Sequence, residues 1–361
     1  MNDWFEVENH TKILTPALLF YPERIRSNIE QMIKIAGSAT RLRPHVKTYK
    51  CAEIVTMQMD MGILKFKCAT LSEAKMMAEI SVPDVLISYP LSGSNQQKFI
   101  ELITSYPKTK FSVLVDSIEH LKSWKKLGNT PIRVFLDIDV GMGRTGVIPE
   151  KAVEIFQMIQ QLDFVFCGFH AYDGHIHDSD LSLRTKTVND AFQSVEELIT
   201  KTITDDNFEI VCGGSLSFPI HATFSERQLS PGTTLLWDYG YSTICPDLHF
   251  NIAATVLTSV ISKPDKNKLC LDLGYKAIAS EMNNNRVYFP QIPDAVIIGH
   301  SEEHLVIEVG NVENWNIGDV LYGLPWHICP TVALHEKAQI IEQNRMVDQW
   351  EIEGRNRIYQ L

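Results

Sequence analysis

The sequence predicts an α/β fold in which a TIM-like (β/α)8 barrel is followed by an antiparallel β domain. Short β-branched or aromatic runs alternate with helical segments through the first two thirds of the 361 residues, which is typical of parallel sheets. Beyond about Pro231, helical periodicity gives way to apolar runs separated by turn residues. No GxGxxG motif follows the first strand, which weakens the alternative of a doubly wound open sheet.

Eight apolar runs are predicted as barrel strands. They are Ala17–Phe20, Leu42–Val46, Leu64–Cys68, Val85–Ser88, Phe111–Val115, Ile132–Ile138, Phe164–Phe169 and Glu209–Cys212. Helical periodicity is found between them in Glu23–Ile35, Leu71–Glu79, Gln96–Thr104, Ser117–Lys126, Pro149–Gln161 and Ser182–Thr200. Ser117 as an N-cap and Pro149 in a first turn fit the chemistry of helix starts.

The change of pattern near Tyr239–Pro246 divides the chain into two predicted domains. Residues 14–240 are predicted to form the barrel. Residues 1–13 and 241–361 are predicted to form the β domain, in which the N-terminal residues pair with the later strands.

Composition excludes several classes of protein. Lys and Arg number 33 against 44 Asp and Glu, so the formal charge of −11 argues against nucleic acid and anionic membranes as main partners. No apolar run approaches the roughly 18 residues of a membrane span, and the polar start predicts a cytoplasmic protein. Seven scattered cysteines without a CxxC pair are typical of reduced thiols.

Barrel active sites lie at the C-terminal ends of strands, and Lys47 follows the second predicted strand. A lysine held among apolar neighbours there can act as a Schiff-base amine, whereas the alternative is a surface lysine. Asp137 and Asp139 end the sixth predicted strand as candidate carboxylates, with the ordering of loops as their alternative role.

A Gly213-Gly214-Ser215 turn follows the last predicted barrel strand. Successive glycines let backbone N–H groups converge on a phosphate, and phosphates in barrels often bind at the last loops. An ordinary turn is the alternative. A strand-end lysine together with a phosphate cradle fits pyridoxal phosphate, whose aldehyde reacts with an amine.

His327 and Cys329 are two residues apart in the β domain, and in a strand both side chains would point to one face. Imidazole and thiolate together favour zinc. Two protein ligands leave coordination positions open, which suits catalysis, whereas an unligated buried pair is the alternative.

Taken together, these motifs resemble the metal-activated pyridoxal enzymes of the D-threonine aldolase and D-serine dehydratase group. That group has fold type III, in which the N-terminal barrel is like that of alanine racemase. The resemblance covers nearly the whole chain in the family's order. It rests on RPHVKTYK (43–50), DIDVGMGRTGV (137–147), GFHAYDGH (168–175), CGGSLSF (212–218), LSPGTTLLWDYGY (229–241), LDLGYKAIASE (271–281), EEH (302–304) and GLPWHICPTVALHE (323–336).

The resemblance implies a role for each of these candidate residues. Lys47 looks like the residue that forms the Schiff base with pyridoxal 5'-phosphate, and Arg144 and Tyr172 look like cofactor-shell residues. Gly213, Gly214 and Ser215 look like the phosphate cradle, and His327 and Cys329 look like the ligands of a divalent metal, zinc or manganese. The resemblance also implies a homodimer that acts on a small D-amino acid.

The implied reaction is that of a lyase on D-β-hydroxy-α-amino acids, D-threonine aldolase-like, giving glycine and an aldehyde. The alternative is a zinc-dependent D-serine dehydratase, which Cys329 favours because many aldolases of the group have Asp at the second ligand. In the dehydratase version Lys47 also removes the α-proton. An amino-acid racemase is a further alternative, with Tyr241, Tyr275 and Tyr288 as candidates for its second base. A non-catalytic cofactor carrier is disfavoured by the long β domain.

Overall fold

A computed structural model describes residues 3–128, 130–202, 208–282 and 286–357. The chain divides into two compact units. The β unit comprises Met1–Glu30, Thr48–Glu53 and Thr233–Arg355, and the barrel unit comprises Gln31–Lys47, Ile54–Gly232 and Asn356–Leu361. The domain boundaries inferred above, at residues 14 and 240, stay a prediction.

Strands and α-helices alternate first and strands dominate later. The strands are β1 Ala17–Phe20, β2 Lys65–Cys68, β3 Asp84–Ile87, β4 Lys110–Val115, β5 Arg133–Ile138, β6 Val165–Ala171, β7 Glu209–Cys212, β8 Arg227–Leu229, β9 Ala254–Asp265, β10 Lys268–Leu271, β11 Val287–Tyr288, β12 Val296–His300, β13 Leu305–Glu308, β14 Val320–Pro325, β15 Lys337–Glu342 and β16 Arg345–Glu351. The helices are α1 Pro22–Ala36, α2 Ala52–Asp60, α3 Leu71–Glu79, α4 Ser94–Ser105, α5 Ile118–Lys125, α6 Pro149–Gln161, α7 Leu181–Thr202, α8 Phe218–His221, α9 Tyr239–Ile244 and α10 Ile328–Leu334.

Strands β2 to β8 form one parallel sheet in sequence order. The segment before Lys47 joins its two edges, because Leu42 bridges Leu229 of β8 and His45 bridges Lys67 of β2. The backbone N–H of Arg43 donates to the Leu229 carbonyl at 2.8 Å, and that of Lys67 donates to the Pro44 carbonyl at 2.9 Å. Residues 42–45 therefore close the barrel as the first of its eight strand segments in chain order, which we call staves, and the predicted barrel is confirmed.

One predicted barrel strand was wrong, and one stave was missed. Ala17–Phe20 lies in the β unit, where it pairs antiparallel with β9 and parallel with β15. All four of its residues are buried, so its apolar pattern fits either sheet equally well. The missed stave is β8, Arg-Gln-Leu, which is short and polar and lacks the β-branched residues that indicate a strand. Lys47 therefore follows the first stave, and Gly213 follows the seventh.

The β unit is built on a sheet with the order β12-β13-β10-β9-β1-β15-β16, and β14 joins β9 to β11. Its pairs are antiparallel except β1 with β15. Phe5 and Val7 are buried in one of its cores, and the Val7 N–H donates to the Tyr322 hydroxyl at 2.8 Å. Phe5 and Val7 therefore pack against the later strands of this unit.

Two general features complete the description. Among the residues that the structure describes, no helix has both the length and the apolar character needed to cross a membrane. The seven cysteines form no disulfide.

Candidate active site

Lys47 lies in a single 3-10 turn, Val46–Thr48, directly after the first stave of the barrel. Its backbone N–H donates to Nδ1 of His45 at 3.2 Å, which fixes the turn beneath the side chain. Its Nζ lies 5.8 Å from the centre of the Tyr172 ring. The lysine is half-buried, so its amine reaches a cavity and does not extend freely into solvent.

The cavity has a volume of about 360 Å³ and lies at the C-terminal ends of the barrel staves. It is lined by His45, Lys47, Lys67, Ala69, Ser88, Tyr89, Pro90, Arg144, Thr145, His170 and Tyr172. Both its position and its size are typical of a small-molecule site in a barrel.

Three basic side chains surround the ring of Tyr172. The side-chain charges of Lys47, Lys67 and Arg144 lie 5.8, 5.4 and 5.2 Å from its centre. This is a concentration of positive charge in a chain whose net charge is −11. An anionic ligand would balance it, so the cavity fits a phosphorylated cofactor.

A buried relay leads from the cavity into the barrel wall. Lys67 of β2 is 2% exposed, and its Nζ lies 3.3 Å from Nε2 of His170. Nδ1 of His170 lies 2.6 Å from Oδ1 of Asp137, whose other oxygen accepts the Thr145 hydroxyl at 3.1 Å. Because a carboxylate fixes the proton on Nδ1, Nε2 is free to accept a hydrogen bond from Lys67.

The relay also sets the charge of its members. Burial, reinforced by the charge of Lys47, lowers the pKa of Lys67 to about 7, although Asp137 acts in the opposite direction. Burial likewise lowers the pKa of His170. Near neutral pH the amine of Lys67 is therefore poised between its charged and neutral forms, and burial disfavours the charged form of His170.

The glycine turn packs against the same aromatic ring. Gly213 has a φ of 77°, and a Cβ on Gly214 would lie 3.1 Å from Cε2 of Tyr172. The Gly214 N–H donates to Oγ of Ser217 at 2.9 Å, and Oγ of Ser215 accepts the Gly232 N–H at 3.2 Å. The turn is thus held tightly beside the cavity, and the phosphate-cradle role of residues 213–215 stays a prediction.

A network of side-chain hydrogen bonds and ion pairs lies behind the turn 213–215 and holds it in place. Ser217 donates its hydroxyl to Oδ1 of Asp173 at 2.7 Å, and Oδ2 of Asp173 lies 2.8 Å from Nε2 of His221. Nη1 of Arg227 lies 2.8 Å from Nδ1 of His221, and Arg227 also pairs with Glu196. Burial opposes protonation of His221, but Cys212 and Asp173 outweigh it and raise the pKa of this imidazole to about 10. The contact with Arg227, which can only donate, acts in the opposite direction and favours the neutral form.

Replacing Gly214 with valine should weaken retention of pyridoxal phosphate while leaving the barrel folded. A β-branched side chain would press on Tyr172, and overpacking of this kind costs roughly 1–3 kcal/mol, or about tenfold or more in affinity. The measurement is the dissociation constant of the cofactor, with circular dichroism as the test of folding. Gly310→Val is the matched control, because a Cβ there meets no atom within 4 Å. An unchanged affinity in Gly214→Val would place the cradle elsewhere.

His327 and Cys329 lie in the β unit, but not in a strand. His327 is the N-cap of α10, and Cys329 lies in the first turn of that helix. The predicted strand geometry was therefore wrong, because Pro330 can occupy a first helical turn and the sequence ICPTVAL forms a helix. The two side chains nevertheless interact: burial lowers the pKa of His327, but Cys329 raises it.

Other polar groups surround this pair within the β unit. Nδ1 of His327 lies 2.5 Å from Oε1 of Glu281, and the hydroxyls of Thr48 and Thr233 lie 3.1 and 3.5 Å from Sγ of Cys329. Burial opposes protonation of His327, but Cys329 and Glu281 outweigh it and raise its pKa to about 9. These neighbours thus favour the protonated form of His327.

This donor set fits a divalent cation with few protein ligands. Within the described ranges, no group of three or more His, Cys, Asp or Glu side chains is arranged to hold a metal. A metal at His327 and Cys329 would therefore have two protein ligands and open positions. The carboxylate of Glu281 at Nδ1 is the partner that commonly orients a metal-binding histidine and leaves Nε2 for the ion.

Sequence reasoning missed several of these groups. Lys67 lies within a segment of ordinary composition, and only the alternation of β2 signalled that it faces inward. Glu281 ends the motif 271–281 quoted above, but it was given no role there. Asp137 does reach the cavity relay, whereas Asp139 accepts the N–H groups of Gly141 and Gly143 and so orders a loop. His221 carried no motif, because its partners Asp173 and Arg227 come from separate elements.

Comparisons with known proteins agree with this architecture. Residues 22–236 match the family "Alanine racemase, N-terminal domain", and residues 253–341 match a serine dehydratase domain. A D-threonine aldolase of Arthrobacter sp. is 27% identical over 95% of this chain and 93% of its own.

Two solved structures have the same fold. A D-threonine aldolase of Filomicrobium marinum has a TM-score of 0.87 and 24% identity, with 95% of each chain covered. The D-threo-3-hydroxyaspartate dehydratase of Delftia sp. HT23 has a TM-score of 0.79 and 21% identity, with 94% of this chain and 97% of its own covered. Because the alanine racemase N-terminal match spans more than half of the sequence, the chain belongs to this family, which has the fold type III of pyridoxal-phosphate enzymes.

Proposed function

We propose that this protein is a lyase dependent on pyridoxal phosphate and a divalent metal, and that it acts on D-β-hydroxy-α-amino acids. The favoured reaction is D-threonine aldolase-like: D-threonine is cleaved between Cα and Cβ to give glycine and acetaldehyde. The observation that carries the proposal is the position of Lys47 in a cavity lined by further cations. The full-length similarity to an aldolase supports it.

Lys47, Arg144 and Tyr172, with the turn 213–215, would hold the cofactor. Pyridoxal phosphate, when bound, supplies an electron sink for the carbon next to the amine. Lys47 provides the amine that binds its aldehyde, and Arg144 offers a fixed positive charge. Tyr172 offers a flat ring between these cations, and Gly214 lets the backbone approach closely.

His327 and Cys329 would hold the metal, which would supply positive charge to a hydroxyl oxygen of the substrate. Glu281 fixes the orientation of His327. One solved structure of a D-threo-3-hydroxyaspartate dehydratase is the metal-free form of a variant in which a cysteine is replaced by alanine. In another structure of such a dehydratase, a histidine two positions earlier is replaced by alanine. The spacing is that of His327 and Cys329, which supports the assignment.

The second candidate is dehydration, as in D-serine dehydratase, and Cys329 is the observation that favours it. A thiolate ligand binds zinc better than it binds the harder metal ions. The match to the serine dehydratase domain, over residues 253–341, also supports this candidate. In this reaction D-threonine would lose ammonia and become 2-oxobutanoate. The two reactions use the same residues and differ in whether the Cα–Cβ bond or the Cα–H bond is broken.

Incubation of the loaded enzyme with D-threonine separates the candidates. We expect glycine and acetaldehyde in equal amounts, and no reaction with L-threonine. Formation of 2-oxobutanoate and ammonia would establish the dehydratase instead. Interconversion of D- and L-alanine without either product would make the protein a racemase and overturn the proposal.

A further inference from the structure

The side chain of Lys67 places a buried amine at the cavity. Few acceptors or negative charges around this amine would stabilise its protonated form. Lys67 is 2% exposed, and in the described part of the chain its amine has one hydrogen-bond partner, Nε2 of His170. No ion pair to a carboxylate is found for it among those residues. An ammonium has three donors, and a buried charge is costly unless its donors are paired.

The charged groups around Lys67 do not supply that pairing. Lys47 is a like charge that acts against its protonation, and Arg144 lies at the same ring. Asp137 is engaged by His170 and Thr145. Asp173 is likewise engaged, by Ser217 and His221, and Cys212, the remaining acidic neighbour, is fully buried. The acceptors that an ammonium needs must therefore come from whatever enters the cavity.

We propose that Lys67 is the anion receptor of this cavity, and that it takes up a proton when an anionic oxygen binds beside it. The oxygen belongs either to the cofactor, as a phenolate or phosphate oxygen, or to the substrate, as its carboxylate. The inference rests on the proposed function, because that function supplies both ligands. It assigns Lys67 a role that differs from covalent attachment at Lys47.

The direction of the pH dependence follows from the two states of the amine. With the cavity empty, the pKa of Lys67 is lowered to about 7 by burial and by Lys47. A bound anion stabilises the ammonium and raises that pKa. Below pH 7 the amine is already charged, so affinity does not depend on its proton. Above pH 7 binding requires proton uptake, so the dissociation constant should rise by up to about tenfold per pH unit until the raised pKa is reached.

The test uses 4'-deoxypyridoxine 5'-phosphate, which has the ring, phenol and phosphate of the cofactor but no aldehyde to react with Lys47. Binding to the cofactor-free protein is measured calorimetrically between pH 7 and 9 in buffers of different ionisation enthalpy, which counts protons. The wild type is compared with Lys67→Met and Lys67→Arg, so that titration of the ligand itself is common to all three. Lys98→Met, on the surface of α4, is the control.

We expect Lys67→Met to weaken binding about tenfold or more at pH 7 and to lose the proton uptake seen in the wild type. Lys67→Arg should bind with little pH dependence, because its charge is permanent. If the methionine variant binds the probe normally but raises KM for D-threonine with the same loss of pH dependence, the anion is the substrate carboxylate.

Two results would overturn the inference. The first is a methionine variant with unchanged affinity, unchanged KM and unchanged proton uptake. The second result applies if the methionine variant does not fold. In that case the wild type would be compared with Lys67→Arg, using the probe and then D-lactate, which offers a carboxylate but no amine, on the loaded protein. Equal proton uptake by the two proteins with both ligands would overturn the inference. A protein that binds neither the probe nor pyridoxal phosphate at all would instead refute the proposed function, so the two failures are distinguishable.

Discussion

Lys47→Ala should abolish turnover of D-threonine, with a loss of about 10³-fold or more. In the proposed function Lys47 provides the amine that binds the cofactor, and a positioned proton-transfer group alone contributes about 10²–10⁴-fold. The variant should also lose the absorption band that the cofactor shows when attached to a lysine. The barrel should stay folded, because the half-buried side chain of Lys47 is not part of an apolar core. Activity and the visible spectrum are the two measurements.

The cavity contains two lysines, Lys47 and Lys67, and chemical labelling can show which of them carries the cofactor. Borohydride reduction of the loaded wild type should fix the cofactor to the peptide that contains Lys47, and protease cleavage at Lys50 and Lys65 places Lys67 in another peptide. Lys67→Met should keep the label, whereas Lys47→Ala should lose it. A label on Lys67 would contradict the assignment and reverse the roles of the two amines.

The parts of the fold that sequence could predict are those with local signals. Seven of the eight predicted strands overlap barrel staves, because apolar runs and helical periodicity alternate there. Ala17–Phe20 failed because a strand buried on both faces has the same pattern in either sheet. The partner of a strand is a long-range property, and β1 pairs with residues more than 230 positions away.

The same limit applies to the site. Lys47 could be predicted as a candidate, since its position after a strand and the motif around it are both local. The relay from Lys67 through His170 to Asp137 could not, because its members come from β2, β6 and β5 and meet only when the barrel closes. The pKa of Lys67 depends on that closure, since burial is its main cause. In the same way, Glu281 meets His327 across 46 positions of sequence.

Chelation should remove lyase activity from the loaded enzyme and leave its visible spectrum unchanged. The proposed metal ligands lie in the β unit, whereas the proposed cofactor residues, Lys47 and the turn 213–215, lie in the barrel unit, so the cofactor should stay bound. We expect a loss of about 10²-fold or more, since a metal contributes several kcal/mol to charge stabilisation. Added zinc or manganese should restore the rate, and metal content measured beside activity tests the link.

Variants of the metal site then identify its ligands. His327→Ala should abolish metal binding, and Glu281→Gln should weaken it about 10- to 100-fold, because the glutamate only orients the histidine. Cys329→Asp should still bind metal but shift the preference from zinc toward manganese, since carboxylate oxygen suits the harder ion. Glu308→Gln, at an exposed carboxylate of the same unit, is the control. Full activity after complete removal of metal would refute metal dependence, and the racemase reading would then be tested first, because proton transfer at Cα needs only the cofactor and two bases.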